Sequence, residues 1–351
     1  MTALDLPPQP APSPSSKTID IIVSGFRPTG KLHLGHLHGT LTNWVRLQDQ
    51  YRCFFFVADW HALTTGNVTA ETIRESTEEM VIDWLSIGLD PDKAVIFRQS
   101  DIKEHAELHL LFSMITPTPW LLRNPTVKEQ ARELGFIQSD DEAEVAKIHY
   151  GLLGYPVLQS ADILMYKAKW VPVGVDQVPH IELTREIARR FNALYRPIFP
   201  EPQALLTEVP KVPGTDGRKM SKSYGNAVLL SDPPEEVDAK LSRMMTDPRR
   251  VRRRDPGEPA DCPAFNLHRL YCTPEEIEYV SHGCRTAGIG CLECKKVMIR
   301  HVLEGLEVFR EKRAYWETHR GDVHDILRCG ERQAREVARQ TMAEVRAAMG
   351  V

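Results

Sequence analysis

No apolar run in the 351 residues approaches the roughly 20 that a membrane helix needs. The opening MTALDLPPQPAPSPSSK has neither the basic end nor the apolar middle of a secretory leader. Both absences point to a cytoplasmic chain with no membrane contact. An excess of one charge is also missing: 44 Lys and Arg stand against 48 Asp and Glu. A polyanionic partner would have to be held by local basic patches, because the whole-chain field does not attract it. Seven cysteines, an odd number, are poor material for a disulfide framework in a reducing compartment, which leaves free thiols or metal ligands. No internal repeat is visible.

What is present divides along the chain. Residues 1–17 are rich in Pro and Ser with almost nothing to bury, and read as a disordered tail. From Thr18, TIDIIVSG, CFFFVAD, AVIF and WVPVGVD read as buried strands. Helical patterns separate them: Leu37, Leu41, Trp44, Val45 and Gln48, then Glu71 to Leu89, then HIELTREIARRF. Alternation of this kind indicates an α/β fold with a parallel sheet covered on both faces, spanning 18–232. Beyond Pro233 the strand signal fades, and LEVFREKRAYW and DILRCGERQAREVARQTMAEVRAAM predict an α-helical unit over 233–351.

The chemistry concentrates in two segments. PTGKLHLGHLHG places His33, His36 and His38 within six residues among Gly30, Gly35 and Gly39, on the first strand-to-helix turn. There, free backbone N–H groups and a helix N-terminus suit phosphate, and His33 and His36 can donate to its oxygens. This fits an adenine-nucleotide site other than a Walker loop; taken alone, the H-x-x-H also fits a pair of surface histidines or a metal site. GTDGRKMSKSYGN, Gly214 to Asn226, is a Gly-rich loop in which Lys219 and Lys222 flank Met220 and Ser221; alone it could be a solvated basic loop.

Together, HLGH early and KMSKS late in an α/β unit resemble the two signatures of class I aminoacyl-tRNA synthetases. ADWHALTT, YPVLQSADILMYKA and VPVGVDQVPHIELTREIARRFN are similar to the tryptophanyl branch of that family, with a likeness running from about Ile19 to the C-terminus. The resemblance implies a Rossmann-like catalytic domain over 18–232 with an inserted helical dimerisation segment near 101–155, a homodimer, and an anticodon-binding helical domain over 233–351. It further implies activation of L-tryptophan by ATP and magnesium to tryptophanyl-adenylate and pyrophosphate, followed by transfer to tRNA(Trp). Under it, His33, His36, Lys219 and Lys222 are the catalytic set. Arg27, Pro28, Thr29, Gly35, Gly174, Val175, Asp176, Val212, Met220, Ser221 and Ser223 join them around ATP. Asp162 would accept the indole N–H, Tyr155 and Gln177 would hold the amino acid's charged groups, and Val23, Gly25, His61, Gln159, Val171 and Val173 would line the pocket. Asp59 and His61 are expected to shape its floor rather than to act in catalysis. An acceptor-only carboxylate in an apolar slot suits an indole, whose single polar atom is a donor; the other reading of Asp162 is a helix-start cap in SADIL.

Some positions depart from the family pattern: Arg27 where Gln is common, Val175 in the usual G-E-D-Q, Gln159 in place of Met, and Gln130 where a Lys is often found. These leave the reaction class alone and bear on ATP affinity and on the side chain preferred. They also motivate two alternatives, a paralogue that senses tryptophan or binds a partner protein while charging weakly, and a tyrosine-specific relative. DPRRVRRRDP holds five arginines between Arg249 and Arg254, which read either as a solvated face or as phosphate contacts to tRNA. Finally, Cys262, Cys284, Cys291 and Cys294 follow C-x21-C-x6-C-x2-C. Four thiolates suit zinc or an iron–sulfur cluster, and the resemblance favours a four-iron four-sulfur cluster, with Cys272 outside the pattern and Cys53 a core residue.

Overall fold

The computed structural model describes residues 19–66, 68–206 and 212–351; the tail expected over 1–17 lies outside them. Strands β1 (Ile21–Phe26), β2 (Arg52–Val57), β3 (Ala94–Arg98), β4 (Trp170–Val173) and β5 (Gln203–Leu206) form one parallel sheet in the order β3-β2-β1-β4-β5. The first four coincide with the expected runs. Their β-branched and aromatic residues bury both faces, in alternation. Ile22, Cys53, Phe55 and Ile96 enter one core, while Val23, Phe54, Phe56, Val95 and Phe97 enter the other. The short β5, QALL, is half-buried at the sheet's edge and gives no such run.

The β1–β2 crossover is a helix from Leu34 to Leu47 with a π turn at Leu37–Leu41. Helix α1 (Ala70–Ile87) joins β2 to β3; Thr69 caps its start, accepting from the Thr72 N–H, and Gly88 ends it at φ 116°. The chain then runs through α2 (Glu104–Ser113) and α3 (Tyr150–Met165) back across the sheet to β4, and α4 (Val178–Leu194) leads to β5. Strand order therefore reverses at β1. Six register pairs tie β1 to β2, whereas Ile22 with Trp170 is the single pair between β1 and β4. Beyond it the two strands are free to part at their carboxyl ends, where a doubly wound sheet presents its ligand crevice.

Residues 263–349 fold as α5 (Pro263–Tyr271), α6 (Pro274–Arg285), α7 (Cys291–Thr318) and α8 (Arg320–Met349). Helix α7 is pinned to α1 by the buried Arg313, which pairs with Asp83 and Glu79 and reaches Glu317 Oε1 at 3.0 Å. Helix α8 instead returns to the sheet. Val323 joins the first core and Ala334, Ala338, Met342 and Val345 the second, so the helix crosses the outer edge of β3. Covering that edge removes an open row of pairing groups. Helical periodicity in the sequence announces α8 but does not say which core its apolar face meets.

Gly330 sits at the crossing, where an added Cβ would lie 1.9 Å from the Ile96 carbonyl oxygen. A mid-helix Gly→Ala change normally stabilises by about 1 kcal/mol. Here the sign should reverse: Gly330→Ala is expected to cost about 1–3 kcal/mol through overpacking, read as a fall in thermal midpoint.

Candidate active site

At the switch point opens a cavity of about 670 Å³, bounded by β1, β4 and α3, with Lys219 reaching in from the late basic loop. Its upper rim is the turn after β1. Thr29 N–H donates to Arg27 O at 2.9 Å, Gly30 takes φ 103°, and Leu34 N–H donates to Val228 O at 3.1 Å. His33 and His36 stack with centroids 3.5 Å apart, and the His33 backbone N–H donates to His36 Nδ1 at 3.3 Å. His36 Nδ1 is therefore an acceptor, and its proton sits on Nε2. His33 Nδ1 is buried with no hydrogen-bond partner among the described residues, a group waiting for one. Burial first, then the charges of Lys222 and Lys219, hold His33 down to about 4; burial, His33 and the same lysines hold His36 down to about 2. Both rings are neutral near pH 7.

The late loop closes on this rim. Lys222 Nζ donates to Thr29 O at 2.8 Å across 193 residues of sequence, and Met220 packs beside Gly35. Burial lowers the Lys222 ammonium to about 8, with the Asp83 charge opposing. Asn226, which no motif pointed to, organises the loop: its Oδ1 accepts from Ser221 N–H at 2.8 Å, and its Nδ2 donates to Asp216 Oδ1 at 2.7 Å and Lys219 O at 3.2 Å. Facing this rim across the cavity, Gly174 gives Asp176 room to fold back, since a Cβ there would meet Asp176 Oδ1 at 2.6 Å. Gln177 Nε2 donates to Asp176 Oδ2 at 3.0 Å.

The closed end holds Asp162, 1% exposed in the last turn of α3. It is far from a helix start, so the cap reading does not apply. Its Oδ1 meets His105 Nδ1 at 2.5 Å, its Oδ2 meets His61 Nε2 at 2.8 Å, and Gln99 Nε2 donates to both oxygens at 2.9 Å. Burial works to raise this carboxyl; hydrogen bonds and charge from His105 and His61 outweigh it and hold it at about 2. His105 is in turn held by Tyr166 at 2.7 Å. On the side wall, Tyr155 OH meets His180 Nε2 at 2.9 Å, and Asn124 Nδ2 meets His180 Nδ1 at 2.9 Å.

The family model for tRNA synthetases class I (W and Y) matches residues 17–306. The chain belongs to this class I synthetase family. Tryptophan–tRNA ligases of Aquifex aeolicus and Thermotoga maritima are 47% and 52% identical, each over 94% of this chain and 99% of theirs. A tryptophanyl-tRNA synthetase structure from Campylobacter jejuni, complexed with ADP and tryptophan, superposes with a TM-score of 0.83 at 30% identity, covering 94% of this chain and 100% of that one.

Within this synthetase, the cavity wall contains Val23, Gly25, Arg27, His61, Tyr155, Gln159, Asp162, Val171, Val173, Gly174, Asp176, Gln177 and Lys219. Pro28, Thr29, His33, Gly35, His36, Ser221, Lys222 and Ser223 form the adjoining rim instead. Val212 and Met220 are buried in the core, where Met220 N–H donates to Val212 O at 3.3 Å and anchors the loop. Val175 is 74% exposed and points away from the wall. Gly25 makes room for the Phe56 ring, which a Cβ would meet at 2.5 Å. Asp59 Oδ1 accepts from the Trp60 and Ser100 N–H groups, tying the end of β2 to the end of β3. Gln99, His105, Asn124 and His180 escaped sequence reasoning because each reaches its partner through the fold, whereas Asn226 acts inside the loop it ends.

His105→Ala would leave the buried Asp162 charge short of its partner, at a cost of about 3–5 kcal/mol, visible as a lowered thermal midpoint. Because the folded carboxyl sits at about 2, below its ordinary 3.8, it contributes stability above the unfolded value that is lost as pH falls from 3.8 toward 2. Removing His105 raises the folded value, and the acid-unfolding midpoint should move to higher pH.

Proposed function

We infer that this synthetase is a tryptophan–tRNA ligase. One observation carries the reading: a buried carboxylate, held ionised and able only to accept, closes the inner end of a cavity where Val23, Phe56, Val171 and Val173 line the wall among polar side chains. An indole N–H satisfies such an acceptor, and a ring without it leaves the carboxylate short of a donor. Asp162 already accepts four contacts, about its full capacity. Gln99 and His105 are wholly buried, while His61 lies on the cavity wall. His61 is therefore the partner that yields as the indole enters. Tyr155 and Gln177 face the amino acid's charged groups, with Val23, Val171, Val173 and Gln159 against the ring.

ATP, taken as its magnesium complex, lies between the rim and Gly174–Gln177. The tryptophan carboxylate oxygen attacks the α-phosphorus in line. The new O–P bond forms as the bond to the β-phosphate oxygen breaks, and pyrophosphate leaves. Positioning and charge neutralisation drive this displacement, so no general base is needed. The neutral imidazoles of His33 and His36 donate single hydrogen bonds to phosphate oxygens; the positive charge on the departing pyrophosphate comes from Lys219 and Lys222. A 2′-hydroxyl of the terminal adenosine of tRNA(Trp) then attacks the adenylate's carbonyl carbon; the ester bond forms as the bond to the phosphate oxygen breaks, and AMP leaves, its phosphate taking up the hydroxyl proton.

Phosphates of the tRNA would meet Arg252 and Arg254, exposed beside the helices. The rest of that run braces the fold: Arg249 pairs with Asp247 and Asp261, Arg253 with Glu293, and Arg250 donates to Ile289 O at 2.9 Å. The segment near 101–155 exposes Leu110, Met114 and Tyr150, the surface through which a homodimer would form. No helix is long and apolar enough to cross a membrane among the described residues, in keeping with a cytoplasmic enzyme.

Cys262, Cys284, Cys291 and Cys294 line one small cavity of about 20 Å³ with His268 and Arg250. Burial pushes the Cys262, Cys284 and Cys294 thiols up, and neighbouring cysteines add to it. Four convergent sulfurs fit a metal centre that braces α5, α6 and α7, away from the chemistry. The family resemblance favours a four-iron four-sulfur cluster. No three of these sulfurs lie within 4.8 Å of one another, whereas zinc would draw all four to about 3.8 Å. Anaerobic purification should yield protein carrying iron with visible absorption; zinc without iron, lost in Cys291→Ser, would reassign the centre, and no metal dependent on Cys291 would remove it.

The function is tested by ATP–pyrophosphate exchange. It should proceed with tryptophan and far more weakly with tyrosine, and Asp162→Ala should lose about 1–3 kcal/mol of that selectivity; equal exchange with tyrosine would refute the assignment. The pH profile follows from the lysine. With Lys222 at about 8, kcat/KM for ATP should fall as pH rises through about 8, where the ammonium loses its charge. No acid limb should come from His33 or His36, already neutral. Lys222→Arg keeps the charge and should remove the alkaline limb.

A further inference from the structure

Beside the four-cysteine cavity lies a second group of donors that neither the adenylation chemistry nor the C-x21-C-x6-C-x2-C pattern uses. Cys272, just past α5, Glu276, in the first turn of α6, and His301, on α7, bring a sulfur, a carboxylate oxygen and an imidazole nitrogen within 4.8 Å of one another. Their backbones are fixed independently of any ligand. Thr273 caps α6, accepting from the Glu276 N–H at 3.3 Å, and its own N–H donates to Glu276 Oε2 at 3.1 Å. The Cys272 N–H donates to His268 O at 2.9 Å.

His301 is where the arrangement is incomplete. Its Nε2 lies 2.7 Å from Glu276 Oε2 and its Nδ1 lies 3.2 Å from Glu304 Oε2. A neutral imidazole carries one N–H, so one contact sets lone pair against lone pair unless the ring is protonated or a cation lies beside it. Arg300 is 2.6 Å from Glu276 Oε1 and engages the carboxylate's other oxygen. With the proton on Nδ1 and donated to Glu304, the Nε2 lone pair faces Glu276 and Cys272, with Arg300 Nη2 3.3 Å away, so a metal ion at Nε2 takes the place of that exposed guanidinium. A carboxylate orienting a histidine in this way is the usual outer support of a metal ligand.

We propose that Cys272, Glu276 and His301 form a zinc site separate from the four cysteines. Thiolate, imidazole and carboxylate are the mixed set that a tetrahedral zinc ion accepts, whereas magnesium and calcium do not select sulfur. Bonds of about 2.0–2.3 Å place the ligand atoms of a tetrahedral ion about 3.3–3.8 Å apart. Side-chain rotation of about an ångström closes the observed spread. The fourth position falls to water or to His268, whose Nδ1 is 3.3 Å from Cys272 Sγ while its Nε2 is 3.4 Å from Cys294 Sγ. One imidazole thus joins the two sites. The ion also fixes the neighbouring Tyr271, whose hydroxyl is 2.7 Å from His38 Nε2, two residues past His36. Zinc here braces the helical face against which the nucleotide loop rests.

The full-length protein, stripped with chelator under anaerobic reducing conditions, is titrated with Co²⁺ and then Zn²⁺, followed by visible absorption and metal analysis. Whatever the four cysteines hold, wild type should bind one equivalent that Cys272→Ala and His301→Ala lose and that Cys291→Ser retains. Glu304→Gln, at an exposed position that does not threaten folding, should bind that equivalent about 10- to 100-fold more weakly, with circular dichroism unchanged. Uptake in Cys272→Ala, His301→Ala and Glu304→Gln equal to wild type would overturn the site. So would loss of all metal from folded Cys291→Ser; either result would leave the cluster an ion-pair network around Glu276.

Discussion

The pairing of β1 with β4 through Ile22 and Trp170 alone is the constraint around which the site is arranged. The crossover from β1 leads toward one edge of the sheet and that from β4 toward the other, so neither fills the space above their carboxyl ends. Arg27 and the histidine turn extend from one strand and Gly174–Gln177 from the other. Helix α3 passes beneath and contributes Asp162 as the floor. A tighter β1–β4 ladder would draw these walls together and leave no volume for an amino acid beside a nucleotide.

Charge in the pocket is sorted by burial. The same desolvation that discharges His33 and His36 would discharge Asp162, were it not for His61, Gln99 and His105. The histidine rim thus offers neutral donors at its inner surface and cations on a loop that rests against it. The closed end offers one guarded anion, Asp162. Opposite charges are kept at opposite ends of one cavity, which lets a zwitterionic amino acid and a polyanionic nucleotide lie side by side without exchanging places.

Much of this was legible locally. TIDIIVSG and CFFFVAD are buried on both faces and read as strands without help. HLGH and KMSKS carry their chemistry in spacing. Asp162 was legible through its surrounding segment, though the fold was needed to show it in the last turn of a helix. The supporting groups were not legible. Gln99 and His105 lie 63 and 57 residues from the carboxylate they hold, and only the sheet brings them there. Strand β5 was missed because QALL sits half-buried at an edge, where the strand pattern is weak. The five-arginine run looked like one patch, but three of its members are engaged with the protein itself, which composition does not reveal.

Gly330 and the edge of β3 carry a consequence for how the chain comes into being. Strands form the sheet from residues 21 to 206, yet α8, which seals its outer edge and supplies part of both cores, begins only at Arg320. While the ribosome is still delivering the middle of the protein, the hydrogen-bonding edge of β3 and the apolar surfaces beside it have no cover. A nascent sheet in that condition is open to pairing with a neighbouring chain. The enzyme reaches a closed state only after α8 has left the exit tunnel, so the sheet waits on a helix made more than a hundred residues after its last strand.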